Sequence, residues 1–406
     1  MTDIVKGMRV CEISAFIAAP YAGLSLAQMG ADVIRIDPIG GGLDYHRWPL
    51  TRDGKSLYWA GLNKGKRSVT IDVRQDEGRE LAQSLMTLEG EDGGFVLTNL
   101  PARGWLDFEG LRVLREDLIM VNILGSRDGS VAIDYTVNAR AGFPLVTGPV
   151  DGERPVNHVL PAWDVITAMS AVSGLLAADR HRRATGEGQY VKLALADVAF
   201  ATLSHLGFVA EAQITGDARP ATGNHVYGTY GHDFATKDER RVMITAFTPR
   251  HWSAVVEATG IADKVTALAE THDLDLDREE ARYQLRDEIT DLLAPWFAAH
   301  SLDEIATALD AVGACWGPYR SFAQAVDEDP DISTDNPMFR EIDQPGIGKF
   351  LAAGPALDFA AAPRDEVRAA PLLGQHTDEV LAELLGLGDR KIGELHDTGI
   401  VAGPAG

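Results

Sequence analysis

The feature that most constrains the fold of this chain is the alternation of apolar strands and amphipathic helices over its first 125 residues. The predicted strands are Met8–Ser14, Ala31–Asp37, Arg67–Val73, Gly94–Leu100 and Leu118–Gly125. Alternation of this kind builds βαβ units, whose strands are parallel and whose ligands bind beyond the carboxyl ends of the strands. We therefore expect an α/β fold with a Rossmann-like parallel sheet.

A sheet of this type often binds a dinucleotide, and the connection after its first strand tests that function. Asp37 ends the second predicted strand, where a ribose-binding carboxylate lies in dinucleotide-binding folds. The first strand, however, is followed by the letters AFIAAP, with no glycine-rich phosphate-binding turn. This argues against a nicotinamide enzyme. The eleven histidines and two cysteines also lack the spacings of metal sites, so no catalytic metal is expected.

Composition narrows the range of partners and compartments. The formal net charge of −23 argues against nucleic acid or an anionic membrane as the main partner, because both require a basic surface. The most apolar run, residues 160–178, is interrupted by Asp164 and by hydroxyl side chains, so it predicts a buried helix rather than a membrane span. Two cysteines are too few for a disulfide framework, and the first ten residues contain no apolar signal-peptide core. These features favour a cytoplasmic protein.

The length of the chain and a change in composition predict more than one domain. A chain of 406 residues exceeds what one hydrophobic core usually serves. The segment 215–224 is rich in glycine, proline and threonine, and a strand and several amphipathic helices follow it. We expect a first Rossmann-like part over 1–214, a smaller α+β domain over 215–330, and a return linker with a helical tail over 331–406.

A basic segment stands out in this acidic chain. Lys64, Lys66, Arg67 and Arg74 surround the third predicted strand. Basic side chains near the ends of parallel strands can bind a polyphosphate. A solvated charged surface would give the same pattern, and the residues alone leave both interpretations open.

Asp164 also has two interpretations. It precedes a long alanine-rich run that closes with a basic cluster and Gly186, and aspartate is a favoured N-cap because its carboxylate accepts first-turn N–H bonds. The helix dipole would hold such an acid ionised, and an ionised, positioned carboxylate can act as a nucleophile. Local physics favours the capping role, with which the nucleophilic role is compatible.

Six segments occur in an order that resembles the CoA-transferases of family III along the whole chain. They are GMRVCEISAFIAAPYAGLSLAQMGADVIRID, LNKGKRSVTIDVRQDEGRELAQSL, TNLPARGW, AWD, TGEGQYVKLALADVA and APLLGQHTDEVL. The resemblance implies a large CoA-binding domain assembled from both ends of the chain, a smaller domain between them, and two chains threaded into an interlocked homodimer. It also implies a small-molecule acyl-CoA substrate, with coenzyme A present only as part of that substrate and no permanently bound cofactor.

The resemblance assigns roles residue by residue. The nucleophilic aspartate of the family corresponds to Asp164. Ile71 and Arg74 are expected to bracket the adenine, while Arg47 and Arg103 are expected phosphate partners. The full set of expected CoA-binding positions is Ile17, Ala18, Arg47, Ile71, Arg74, Asn99, Leu100 and Arg103.

Two places depart from the family pattern. Pro38 stands where many members carry a basic residue after the second strand. The segment 222–231 carries the bulky side chains His225, Tyr227 and Tyr230 where some members have a glycine-rich loop that shields the reaction intermediate. A tighter pocket at this loop would suit an enzyme that does not exchange its acid with the solvent.

Four segments resemble most closely a branch of the family that moves CoA between the C1 and C4 carboxyl groups of mesaconate. They are GADVIRIDPIGGGLDYHRWP, NHVLPAWD, STDNPMF with QPGIG, and LHDTGIVAGP. The expected function is therefore an intramolecular CoA transfer through mixed anhydrides and an aspartyl-CoA thioester.

Three alternatives stay open. They are an intermolecular CoA-transferase that uses a free carboxylic acid, an enzyme related to the α-methylacyl-CoA racemases, and a non-catalytic CoA-binding protein. The racemases carry a histidine directly before an aspartate where this chain has Ile133 and Asp134, which argues against racemisation.

Overall fold

The computed structural model describes residues 1–150, 152 and 154–404. In chain order, its strands are β1 (Arg9–Ile13), β2 (Asp32–Asp37), β3 (Arg67–Ile71), β4 (Phe95–Thr98), β5 (Ile119–Leu124), β6 (Gln189–Ala194), β7 (Tyr230–Ala235), β8 (Arg241–Ala246), β9 (Cys315–Pro318), β10 (Phe339–Gln344), β11 (Gly348–Ala353) and β12 (Val401–Ala402). Its helices are α1 (Ala18–Gln28), α2 (Leu57–Leu62), α3 (Asp76–Met86), α4 (Phe108–Leu114), α5 (Asp134–Arg140), α6 (Phe143–Val146), α7 (Ala162–Thr185), α8 (Leu195–His205), α9 (Phe208–Thr215), α10 (Pro249–Thr259), α11 (Ala262–His272), α12 (Glu279–Gln284), α13 (Arg286–Ala299), α14 (Leu302–Val312), α15 (Phe322–Glu328), α16 (Thr377–Leu385) and α17 (Asp389–Asp397).

The chain divides into two compact units. The larger comprises residues 1–141, 158–214 and 330–406, and the smaller comprises 142–157 and 215–329. The segment 142–157 thus groups with the smaller unit, whereas the sequence analysis placed it within 1–214. Within this segment, the Val156 N–H donates to the Pro144 carbonyl at 2.9 Å.

A seven-stranded sheet forms the centre of the larger unit, in the order β12-β3-β2-β1-β4-β5-β6. The strands from β3 to β6 are parallel, and β12 is antiparallel to β3. The expected α/β class with a large parallel sheet is therefore confirmed. Strand order reverses between β1 and β4, and such a reversal opens a ligand-binding crevice beyond the carboxyl ends of the two strands.

Strands β1, β2, β4, β5 and β6 of this sheet contribute apolar side chains to both faces. In β2, Val33 faces one hydrophobic cluster while Ile34 and Ile36 face the other. Helices α1 and α7 cover the first face with alanine-rich surfaces, and their small side chains allow close packing. Because helices that connect parallel strands run antiparallel to them, α1 and α7 both begin at the carboxyl edge of the sheet.

The smaller unit contains a three-stranded antiparallel sheet in the order β7-β8-β9. Its core is formed by the buried faces of β7 and β8 together with helices α10 to α14. Tyr230 and Phe297 are fully buried there. This architecture is α+β, as the segment after residue 215 predicts.

A buried group of charges lies close to the ends of β1 and β2, and we name it the Arg35 cluster after its central residue. Arg35 is 1% exposed and binds Asp37 at 2.9 Å, Asp44 at 3.0 Å and Glu12 at 3.5 Å. Lys66 completes the cluster, with its Nζ 2.8 Å from Glu12 Oε2. Asp37 is therefore a structural partner of Arg35.

The basic segment around β3 is also largely used within the fold. Besides the Lys66 contact, the Lys64 ammonium donates to the Gly61 carbonyl at 2.7 Å, and burial lowers the pKa of both lysines to about 8. Arg67 binds Asp32 and Glu383. Interpreting these three residues as a polyphosphate-binding surface is wrong, because their charges face protein partners.

Within the described residues, no single helix is long and apolar enough to cross a membrane, although the bent pair α8–α9 meets the length and composition criteria together.

Candidate active site

An amide side chain joins the segments that follow β1 and β4. Asn99, directly after β4, accepts a hydrogen bond from the Ala15 N–H at 2.9 Å and donates one to the Ala15 carbonyl at 2.6 Å. These two bonds fix the connection from β1 to α1. Ile17 and Ala18 lie in that connection, at the start of α1, where the first N–H groups of a helix have no intrahelical partner.

Two further expected CoA-binding residues follow β4. Leu100 is half-buried, and its carbonyl accepts a hydrogen bond from the Asn122 amide at 3.0 Å. Arg103 is exposed and precedes a short 3-10 helix, Gly104–Leu106. The fold therefore brings Ile17, Ala18, Asn99, Leu100 and Arg103 to the carboxyl edges of neighbouring strands.

The expected contact of Ile71 with an adenine is wrong for this conformation. Its side chain is fully buried in the hydrophobic cluster beneath the sheet, so it offers no surface to a ligand. Val73, two residues further on, is half-buried and is the apolar side chain next to Arg74. The exposed Arg74 guanidinium binds Asp72 at 2.7 Å and holds the pKa of that carboxyl well below its usual range.

Asp164 lies in the first turn of α7 but does not cap it. The N-cap position is Pro161, and the first-turn N–H groups of Trp163 and Asp164 donate instead to Asp134 Oδ2, at 2.7 Å and 3.1 Å. Asp134 is 2% exposed. Since another carboxylate performs the capping, the half-buried Asp164 carboxylate is not needed for it, and the capping interpretation of Asp164 is wrong.

The electrostatic state of Asp164 differs from the expectation that the helix dipole keeps it fully ionised. Burial, together with the negative charge of Asp134, raises its pKa to about 7, and the positive charge of Arg47 opposes this rise. Near neutral pH the group is therefore a mixture of acid and carboxylate. A carboxylate of this basicity is a stronger nucleophile than a solvated aspartate.

Sequence reasoning missed the role of Asp134. Besides the two N–H groups of α7, its carboxylate contacts the ring of His158, whose Nε2 is 2.9 Å from Oδ1. The indole N–H of Trp163 donates to Asn138 at 3.1 Å, which adds a second link between α5 and α7. No local pattern connects Asp134 with Asp164 thirty residues later, although both lie on helix first turns.

Arg47 lies near Asp164, and its expected role as a phosphate partner stays a prediction. Its charge acts on the pKa of Asp164, and the charges of both residues act on the Tyr58 hydroxyl, whose pKa burial raises. The Arg47 guanidinium is 5.4 Å from the centre of the Phe16 ring and 5.3 Å from that of Tyr58.

The loop 222–231 is part of the smaller unit. The His225 ring of this loop stacks on the ring of His232, the residue directly after the loop, and the two ring centres are 4.1 Å apart. Burial lowers the pKa of both histidines. His225 Nε2 also contacts Asp287 at 3.3 Å. Among residues 1–150, 152 and 154–404, no group of three histidine, cysteine or acidic side chains is arranged to hold a metal ion.

The chain is similar along its length to a known family and to known proteins. The model of the CoA-transferase family III matches residues 5–377. The chain is 54% identical to 2-methylfumaryl-CoA isomerase of Chloroflexus aurantiacus, over 100% of this chain and 99% of that protein. It is 31% identical to succinyl-CoA:mesaconate CoA-transferase of Haloarcula hispanica, over 95% of this chain and 98% of that protein.

A solved structure has the same fold. It is a CaiB/BaiF family protein from Brucella suis, with a TM-score of 0.77 and 24% identity, covering 95% of this chain and 100% of that one. At that identity the likeness concerns the fold alone. Together with the match along the chain, it leads to one conclusion: the chain belongs to CoA-transferase family III and is an enzyme of that type.

Proposed function

We propose that this enzyme transfers CoA between the C1 and C4 carboxyl groups of mesaconate, and so interconverts the two regioisomers of 2-methylfumaryl-CoA. The observation that carries the proposal is Asp164, a half-buried carboxylate with a pKa of about 7 that is relieved of helix capping by Asp134. The choice of substrate is supported by the full-length similarity to 2-methylfumaryl-CoA isomerase.

In the first half of the proposed reaction, the Asp164 carboxylate attacks the C1 thioester carbon. The carbon–sulfur bond breaks, giving a mixed anhydride and CoA thiolate. The thiolate then attacks the aspartyl carbonyl of the anhydride, and this step gives an aspartyl-CoA thioester and mesaconate. One positioned carboxylate thereby divides a difficult exchange into easier steps.

In the second half, the C4 carboxylate of the same mesaconate attacks the aspartyl-CoA thioester and releases CoA thiolate. The thiolate attacks the C4 carbonyl of the new anhydride, which yields the C4 thioester and restores Asp164. Water must be excluded throughout, because it would hydrolyse the anhydrides. Trp163 and Asp164 have donated their N–H groups to Asp134, so other donors, such as the first N–H groups of α1, must stabilise the oxyanions.

The proposal is tested with both synthetic regioisomers of mesaconyl-CoA and the purified enzyme, by chromatography of the products. Interconversion without uptake of isotopically labelled free mesaconate is the expected result. Failure to convert either regioisomer into the other would contradict the proposal.

An intermolecular CoA-transferase is the second candidate. It is favoured by the 31% identity to succinyl-CoA:mesaconate CoA-transferase over nearly the whole chain. The same experiment separates the two, since label from free mesaconate enters the CoA ester only if an external acid is the acceptor.

The racemase-like alternative depended on a histidine that does not precede Asp134 in sequence. In the fold, His158 contacts Asp134, so a histidine is present near the nucleophile after all. Racemisation requires proton exchange at carbon, and incorporation of solvent deuterium into recovered thioester therefore tests it. The alternative of a non-catalytic CoA-binding protein is wrong, because the chain belongs to an enzyme family.

Three further properties are part of the proposal. The enzyme acts as an interlocked homodimer, resides in the cytoplasm, and holds no permanent cofactor, with CoA arriving as part of the substrate. Light scattering of the purified protein tests the dimer, cell fractionation tests the location, and mass spectrometry of the protein under native conditions tests for a retained cofactor.

A further inference from the structure

The Arg47 side chain combines exposure with fixed surroundings. It is exposed, yet its guanidinium lies over the rings of both Phe16 and Tyr58, at 5.4 Å and 5.3 Å. Aromatic faces attract the flat face of a guanidinium, and contacts of this kind leave the N–H groups at its edge available. The Arg47 guanidinium thus presents the N–H groups at its edge as a fork of hydrogen-bond donors.

That fork has no acidic partner in the part of the chain that the structure describes, where no carboxylate lies within 4.0 Å of it. The contrast with Arg35 is sharp, because that buried guanidinium binds three carboxylates. An arginine left without an anion beside the proposed nucleophile is suited to bind an anionic part of the substrate.

The backbone beneath Arg47 shows that its position is built into the fold. Phe16 has a φ of 65°, a left-handed conformation that is unfavourable for a bulky side chain. Its N–H donates to Asp44 Oδ2 at 3.1 Å, and Asp44 is itself anchored by Arg35. The Arg35 cluster therefore holds the strained residue that places an aromatic ring against Arg47.

The acyl group of the proposed substrate offers a matching anion. In either regioisomer one carboxyl group is a thioester and the other is an ionised carboxylate, only a few bonds from the carbon that Asp164 attacks. Planar carboxylates accept two parallel hydrogen bonds from one guanidinium. We propose that Arg47 binds the free carboxylate of the acyl group and thereby selects dicarboxylic over monocarboxylic thioesters, an inference that rests on the proposed function and identifies the group that recognises its substrate.

The test compares two thioesters of nearly the same shape. In 2-methylcrotonyl-CoA a methyl group stands where C1-mesaconyl-CoA has its free carboxylate. The measured quantity is the single-turnover rate of the Asp164 adduct, trapped with hydroxylamine. We expect Arg47→Met to lower this rate about 100-fold with mesaconyl-CoA, and less than about threefold with 2-methylcrotonyl-CoA. Arg47→Lys should recover part of the loss, since it keeps the charge but not the fork.

Arg52→Met is the matched control, because Arg52 is an exposed arginine of the same connecting segment. It should leave both rates unchanged. An equal loss with both thioesters in Arg47→Met would overturn the proposal, and so would weakened binding of free CoA, which would mark Arg47 as the phosphate partner expected from sequence. If the native enzyme forms the adduct but does not interconvert the regioisomers, the proposed function fails while the selectivity of Arg47 is still measured.

Discussion

The Arg35 cluster and the group formed by Asp164, Asp134 and Arg47 both lie near the carboxyl ends of the parallel strands, but their charges are arranged differently. In the Arg35 cluster every charged side chain has an opposite charge within 3.5 Å. Around Asp164, two carboxylates lie close enough for one to raise the pKa of the other. The charges of the Arg35 cluster are thus matched, whereas Asp164 and Arg47 form no ion pair within 4.0 Å in the described part of the chain and are available to a substrate.

The largest expected effect concerns the unmatched group. Asp164→Asn removes the nucleophile without changing the shape of the side chain, so we expect regioisomer interconversion to fall by at least about 10⁴-fold. Chromatography of the thioesters measures it. Asp197→Asn, at an exposed aspartate in the first turn of α8, should retain full activity as the control. Turnover by pure Asp164→Asn protein at one hundredth of the native rate would refute the assignment.

A substitution in the Arg35 cluster should lower the free energy of unfolding. Arg35→Met leaves the buried Asp37 and Asp44 carboxylates without a cation and leaves Glu12 with Lys66 alone, and removing one partner of a buried ion pair typically costs about 3–5 kcal/mol. Urea unfolding followed by tryptophan fluorescence measures the change. The exposed Arg390→Met should change the unfolding free energy by less than about 0.5 kcal/mol. A loss below about 1 kcal/mol for Arg35→Met would mean that the cluster is not a stabilising element.

Ionisation of Asp164 should also lower the free energy of unfolding as the pH rises. The folded-state pKa of Asp164 is raised from an ordinary value of 3.8 to about 7, so ionising it costs stability as the pH rises between these values. Asp164→Asn should therefore be more stable than the native protein at pH 8, by on the order of 2 kcal/mol, but not at pH 4. Urea titrations at the two pH values measure this. Equal stability at pH 8 would contradict the unmatched character of the site.

The smallest effect tests how the two carboxylates are coupled. Asp134→Asn removes the negative charge that raises the pKa of Asp164 but keeps an oxygen that can accept the N–H bonds of α7. Since the carboxylate is the attacking form, kcat/KM should rise with pH through about 7 in the native enzyme and at lower pH in the variant. A pH profile of kcat/KM measures the midpoint. An unchanged midpoint would show that the charge of Asp134 does not set the pKa of Asp164.

Local sequence patterns do not predict most of the charge contacts that distinguish these two groups. The alternation of strands and helices predicts the parallel sheet well, because burial on both faces favours apolar runs such as Phe95–Leu97 of β4. The same patterns place Ile17, Asn99 and Arg103 after strand ends. Charges are different, since their partners come from distant segments. Lys66 reaches Glu12 across 54 residues, and only the folded topology shows that this lysine is buried.

The candidate active site likewise has features that local patterns predict and features that depend on distant contacts. The position of Asp164 on a helix start follows from the alanine-rich run, but its release from capping depends on Asp134, thirty residues earlier. The burial of Ile71 was equally hidden, because its apolar pattern fits both a core residue and a ligand contact. Which of two compatible roles a residue takes is decided by contacts that are remote in sequence.

The antiparallel strand β12 has a consequence for how the protein is made. It pairs with β3, so the edge of the sheet at Thr70 and Ile71 is completed by residues 401 and 402. At typical translation rates, β3 leaves the ribosome on the order of tens of seconds before β12 does. During that interval its backbone is an open edge to which other chains can add. The larger unit therefore exposes the edge of a nascent strand until β12 has been made, whereas strands β7, β8 and β9 of the smaller unit have all been made by residue 318.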